Sequence, residues 1–148
     1  MNYKVLIVDD SIMILEQMKE ILLENEYIPI LADNVMNAMK ILKQEHVDII
    51  LTDIEMPKLS GIQFIEWLRC HEEYNKVPIL VLSSHSSKEK TRQCLQAGAD
   101  DFIAKPIHEI EIISRLNGVR RLLKARDKYI EKNRELEKAF EIIENAYQ

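Results

Sequence analysis

The sequence predicts an α/β domain, a doubly wound parallel sheet built from five βα units and continued by one long C-terminal helix. Three observations carry this prediction. Short apolar runs rich in β-branched residues recur along the chain, and segments with helical spacing separate them. Beyond Pro106 the chain reaches Gln148 without another proline and with Gly118 as its only glycine.

The first strand is read at residues 4–8, an apolar run halted by Asp9-Asp10. Ile12, Leu15, Met18, Ile21 and Leu22 then mark one face of a helix. A short strand at 28–31 follows, and Val35, Ala38, Met39, Ile41 and Leu42 supply the second helical stripe. The third strand spans 48–52 and ends on Asp53, and Ile62, Ile65 and Leu68 belong to the third helix. The fourth strand, 78–82, runs into Ser83-Ser84. A helix from about Lys88 to Ala97 stops at Gly98, and the fifth strand occupies 101–104. Such alternation requires right-handed crossovers and places a ligand site at the carboxyl ends of the strands.

With 148 residues, 47% hydrophobic and 30% charged, the chain suits one domain and an appendage, read as a domain over 1–125 and a helical extension over 126–148. The net charge of −5 argues against a general nucleic-acid surface. No signal peptide or membrane-spanning run is visible, so a cytoplasmic protein is expected. Cys70 and Cys94 lack disulfide or zinc-site spacing and are expected to be reduced, partly buried thiols.

The strand-end rule selects Asp9, Asp10, Asp53, Ser83 and Lys105. Singly, each has an ordinary reading: an Asp pair or a Ser pair caps a helix, and Lys-Pro makes a turn. Together they gather three carboxylates, a hydroxyl and an ammonium. Clustered carboxylates raise one another's pKa unless a positive charge joins them, and Mg²⁺ suits a site of few carboxylates with room for phosphoryl oxygens. Asp53, alone on a central strand, is then the best-placed nucleophile toward phosphorus. Lys105 and the Ser83 hydroxyl are positioned to hold phosphoryl oxygens.

Four segments, Val-Leu-Ile-Val-Asp-Asp-Ser, Leu-Thr-Asp-Ile-Glu-Met-Pro with Gly61 downstream, Pro-Ile-Leu-Val-Leu-Ser-Ser and Gly-Ala-Asp-Asp-Phe-Ile-Ala-Lys-Pro, make the chain resemble the receiver domain of two-component response regulators over about 1–125. The resemblance implies a flavodoxin-like (βα)5 sheet of order 2-1-3-4-5, and a histidine kinase that donates its phosphoryl group to Asp53. It implies Mg²⁺ held by Asp10 and Asp53, with Asp9 acting mainly through metal-bound water and the Glu55 backbone carbonyl as a further ligand. A cis Lys105-Pro106 bond and a switch linking Ser83 to Phe102 are also implied, and Glu55 and His85 stand where dephosphorylation rate is set. Such a domain catalyses only its own phosphorylation and dephosphorylation. Ser83 and Ser84 depart from the Thr and Ala of many relatives.

In the tail, Ile112, Leu116, Val119 and Leu123 step by four, three and four, with Ile130 one heptad further. Leu136, Phe140, Ile143 and Tyr147 resume that stepping after a stammer near Asn133. Two readings stay open: a parallel homodimeric coiled coil, or a single helix folded back on its domain. The basic residues between Arg115 and Lys128 read as a solvated face rather than a DNA or membrane surface. The resemblance to receivers with such helical extensions implies an output domain outside this chain, such as a diguanylate cyclase, since no nucleotide loop or second α/β unit here supplies that output. The alternative is a stand-alone receiver that acts as a dimerisation and protein-interaction module.

Overall fold

The computed structural model describes residues 2–84 and 88–147. Five strands, β1 (Lys4–Val8), β2 (Ile28–Ala32), β3 (Ile49–Asp53), β4 (Ile79–Ser83) and β5 (Asp101–Ala104), form one sheet of order β2-β1-β3-β4-β5. Every neighbouring pair is parallel. The helices α1 (Ile12–Glu24), α2 (Val35–Gln44), α3 (Gly61–Cys70), α4 (Lys88–Ala97) and α5 (Glu109–Ala146) follow the strands in turn. This is the flavodoxin-like arrangement, with a long C-terminal helix.

Burial explains the order. Val5 to Val8 of β1, Ile49 to Leu51 of β3 and Ile79 to Leu82 of β4 are essentially inaccessible, which suits central strands covered on both faces. Each such side chain removed from water contributes about 1.5–3 kcal/mol. β2 and β5 are only partly buried and lie at the edges. β5, with four residues, is the shortest strand, as suits an edge that avoids further pairing.

Two strands sit one residue later than the apolar runs suggest. Pro78 has no N–H for the ladder, and its carbonyl only accepts from Ile50 (2.9 Å), so β4 begins at Ile79. Asp48 uses its carboxylate to accept the Lys4 N–H (2.8 Å), and β3 starts at Ile49. The shift makes Asp53 and Ser83 the last residues of their strands.

Side-chain caps fix where the helices begin. Ser11 caps α1, Asn34 caps α2, and Ser60 with Gln63 forms a capping box at α3. The chain divides into two compact units, Met1–Ile113 and Ser114–Gln148, and α5 is continuous across the division. Among the described residues no helix is long and apolar enough to cross a membrane. Both cysteines are free; Cys94 is buried, which pushes its thiol up to about 11, whereas Cys70 is exposed rather than partly buried.

Candidate functional site

Parallel register brings the strand ends to one edge of the sheet. Val8 pairs with Thr52 and Asp53 with Leu82, so Asp9 and Asp53 leave adjacent strands side by side. Ser83 pairs with Ala104, which sets Lys105 at the same edge, and the Lys105 N–H donates to the Ser83 carbonyl at 2.6 Å. The Lys105-Pro106 bond is cis, as expected.

Lys105 Nζ stands 3.3 Å from Asp9 Oδ2 and 3.3 Å from Asp53 Oδ1. Asp9 is fully buried, and its other oxygen accepts the Ser11 N–H at 2.9 Å, so this residue both shapes the turn into α1 and faces the lysine. Asp53 Oδ1 also accepts the Ile54 N–H at 2.8 Å. Asp10 is exposed, yet one oxygen from each of Asp9, Asp10 and Asp53 can be chosen so that all lie within 4.8 Å of one another. Asp33 stays outside this group, with Oδ1 accepting from the Asn34 and Asn37 amides at 3.1 and 2.7 Å.

Charge at the site is unbalanced, since three carboxylates face one ammonium. Burial, reinforced by the Asp9 charge, lifts the Asp53 carboxyl above the usual carboxylate range, while Lys105 and the Ile54 N–H pull it back. An all-oxygen set of this kind, partly open through Asp10, fits a hard divalent cation that keeps some of its water.

Gly61 was visible in the sequence only as part of a motif, and the geometry supplies its reason. A Cβ there would stand 2.2 Å from the Asp53 carbonyl oxygen and 2.9 Å from Ile54 Cα. The Gly61 N–H donates to the Ile54 carbonyl at 2.7 Å, so the loop after β3 is drawn tightly against the backbone of Asp53. Within that loop Lys58 adopts a left-handed conformation (φ 71°) that nothing in its residue type announces.

The remaining expected residues take different places. Ser83 is buried at the end of β4, while Phe102 on the edge strand β5 is 39% exposed. The Glu55 side chain pairs with Lys90 on α4, a contact across 35 residues that no local spacing reveals. His85 lies outside the described residues. His46 pairs with Asp48 (3.0 Å), and His71 Nδ1 lies 2.7 Å from the Trp67 carbonyl, so neither joins the site.

The profile of the response regulator receiver domain matches residues 5–117. The chain belongs to the response regulator receiver domain family. The phosphate regulon transcriptional regulatory protein PhoB of Escherichia coli is 32% identical over 121 residues, 82% of this chain and 53% of PhoB. This receiver chain therefore spans about half the length of that relative. Two-component response regulator-like APRR7 of Arabidopsis thaliana is 39% identical over 83 residues, 55% of this chain and 11% of that protein. Among solved structures, the signal receiver domain of a histidine kinase from Syntrophus aciditrophicus gives a TM-score of 0.74 at 32% identity, covering 83% of this chain and 91% of that one. Chemotaxis protein CheY4 of Vibrio cholerae gives 0.76 at 29% identity, covering 80% and 99%.

Proposed function

We propose that this receiver accepts a phosphoryl group on Asp53 from the phosphohistidine of a partner kinase and passes the resulting change to an interaction surface or a following output domain. The supporting observation is Lys105 Nζ at 3.3 Å from both Asp9 and Asp53, with Asp10 in the same cluster.

Transfer breaks the phosphorus–nitrogen bond of the donor and forms a phosphorus–oxygen bond to the Asp53 carboxylate, giving an acyl phosphate. Asp53 is held for this by its Ile54 N–H bond and by the close approach of Gly61. Asp10, Asp53 and the Glu55 backbone carbonyl would hold Mg²⁺, with Asp9 acting through water, and the ion would supply charge neutralisation for the incoming phosphoryl oxygens. Lys105 pairs with one phosphoryl oxygen and Ser83 donates its hydroxyl to another. Drawing Ser83 toward the phosphoryl group leaves space for Phe102, exposed here, to turn inward and reshape the face of α4, β5 and α5. The domain so defined covers 1–125, with the extension over 126–148 as transmitter and the surface through which two copies pair.

Incubation with Mg²⁺ and acetyl phosphate, read by intact mass, is expected to add one phosphoryl group to the chain and none to an Asp53→Asn variant. Persistence of the modification in that variant would overturn the assignment. Unchanged acyl phosphate decay after substitution of both Glu55 and His85 would remove their proposed control of its lifetime.

A further inference from the structure

We infer that two copies of this chain pair through the exposed stripe of α5, parallel and in register, along one uninterrupted heptad seam from Leu122 to Tyr147. This rests on the homodimer proposed above and specifies its register.

The burial of α5 decides which side chains are available. Leu116 and Leu123, which the sequence spacing takes as the first part of a seam, are 0% and 6% exposed in the single chain and are not free to meet a partner. Leu122, one residue earlier, is 72% exposed. From Leu122, positions 122, 126, 129, 133, 136, 140, 143 and 147 alternate steps of four and three without a break. Leu122, Tyr129, Leu136 and Ile143 take the d positions, and Arg126, Asn133, Phe140 and Tyr147 take the a positions. All six apolar members are more than half exposed. The stammer near Asn133 arises only when the inner and outer stripes are joined into one. A strict seven-residue repeat over nearly four heptads, about 39 Å of helix at 1.5 Å per residue, imposes a left-handed supercoil.

The flanks select a second copy lying parallel. The g positions are Ala125, Lys132, Ala139 and Ala146, and the e positions are Leu123, buried in its own chain, and the exposed Ile130, Glu137 and Glu144. In a parallel pair each g residue reaches the e residue five places on in the other helix. Lys132 then meets Glu137 of the second copy, twice by symmetry, and Ala125 meets Ile130 across an apolar edge. No like charges meet at these flanks. An antiparallel pair sets e against e, which places Glu137 and Glu144 against each other or against Ile130 and Leu123, and leaves Lys132 facing alanine or another lysine without a carboxylate partner. Asn133 at an a position fixes the register, because its amide finds an equivalent amide only when the helices are aligned.

Sedimentation equilibrium on the full chain, combined with oxidation of single cysteines in a Cys70→Ser background, tests both layers. A dimer is expected in which Tyr129→Cys and Asn133→Cys close homodisulfides at least roughly tenfold faster than Ile130→Cys or Lys138→Cys, because only a and d positions approach within disulfide reach. Lys132→Glu is expected to weaken association roughly tenfold, and adding Glu137→Lys to restore it. A dimer in which Ile130→Cys closes fastest, or in which the paired charge reversal rescues nothing, would overturn the register while leaving the dimer intact. A monomer at every concentration would overturn the dimer itself.

Discussion

Lys105 carries more of the site than its single charge suggests, because it neutralises two carboxylates that burial would otherwise set against each other. The raised Asp53 pKa fixes the sign of two effects. A carboxyl that holds its proton more tightly when folded stabilises the fold below the ordinary carboxylate range, and this contribution is lost as pH rises through the folded pKa. Cation-free protein at neutral pH therefore carries an unfavourable charge at Asp53. Asp53→Asn is expected to raise the Tm of metal-free protein at pH 7.5 by a few degrees, at about 2–4 °C per kcal/mol. Mg²⁺ needs the deprotonated carboxylate, so its stabilisation of the native chain is expected to be full at pH 7.5 and to fade as pH falls through the Asp53 pKa. Calorimetric scans with and without Mg²⁺ at several pH values check both, and a stabilisation that grew toward acid pH would refute them. Gly61→Ala is expected to cost about 1–3 kcal/mol and to slow phosphorylation, because its Cβ must displace the Asp53 backbone. At this scale the sequence exposed the charged members through their place at strand ends. Neither the reason for Gly61 nor the Glu55–Lys90 pair was legible, since both depend on backbone approach between distant segments.

Between elements, Arg69 at the end of α3 is the main fastening at the edge opposite the carboxylates. Its guanidinium donates to the carbonyls of Gly98 (3.0 Å), Tyr74 (3.2 Å) and Val77 (2.8 Å), and pairs with Asp100 (3.1 Å). Asp100 in turn accepts the Ile79 N–H at 2.8 Å, so one side chain ties α3, the entry to β4 and the turn into β5. Gly98 is required there twice over, by its φ of +127° and because a Cβ would come within 2.6 Å of Arg69 Cγ. Arg69→Ala is expected to destabilise by about 2–4 kcal/mol, since it leaves partly buried carbonyls without donors. Urea denaturation measures the loss, and a cost below about 0.5 kcal/mol would mean that water replaces the guanidinium. The helical stripes and apolar runs made all ten elements readable, and strand starts slipped by one residue only where Asp48 and Pro78 adjusted the ladder. Arg69 itself reads in sequence as one more surface charge.

For the whole molecule, the proposed division between chemistry and transmission falls within α5. Residues 124–147 are exposed throughout. A chain ending at Leu123 is expected to retain its Tm within about 2 °C and its Mg²⁺-dependent phosphorylation, while sedimenting as a monomer. Loss of phosphorylation in that shortened chain would show that the extension supports the site rather than carrying its signal.

The sequence by itself determined the five βα units, the continuous last helix and the carboxylates and lysine that meet at the strand ends. Periodicity and strand-end position are local properties that survive without coordinates. Only the tertiary structure decided how tightly Lys105 binds its two acids, why residue 61 admits no side chain, and which stripe of α5 is spent on burial. Those outcomes depend on distances between segments far apart in the chain, and on water being excluded from one side of a helix and not the other. Leu122 and Leu123 are adjacent and identical in type, and only the fold makes one inner and one outer.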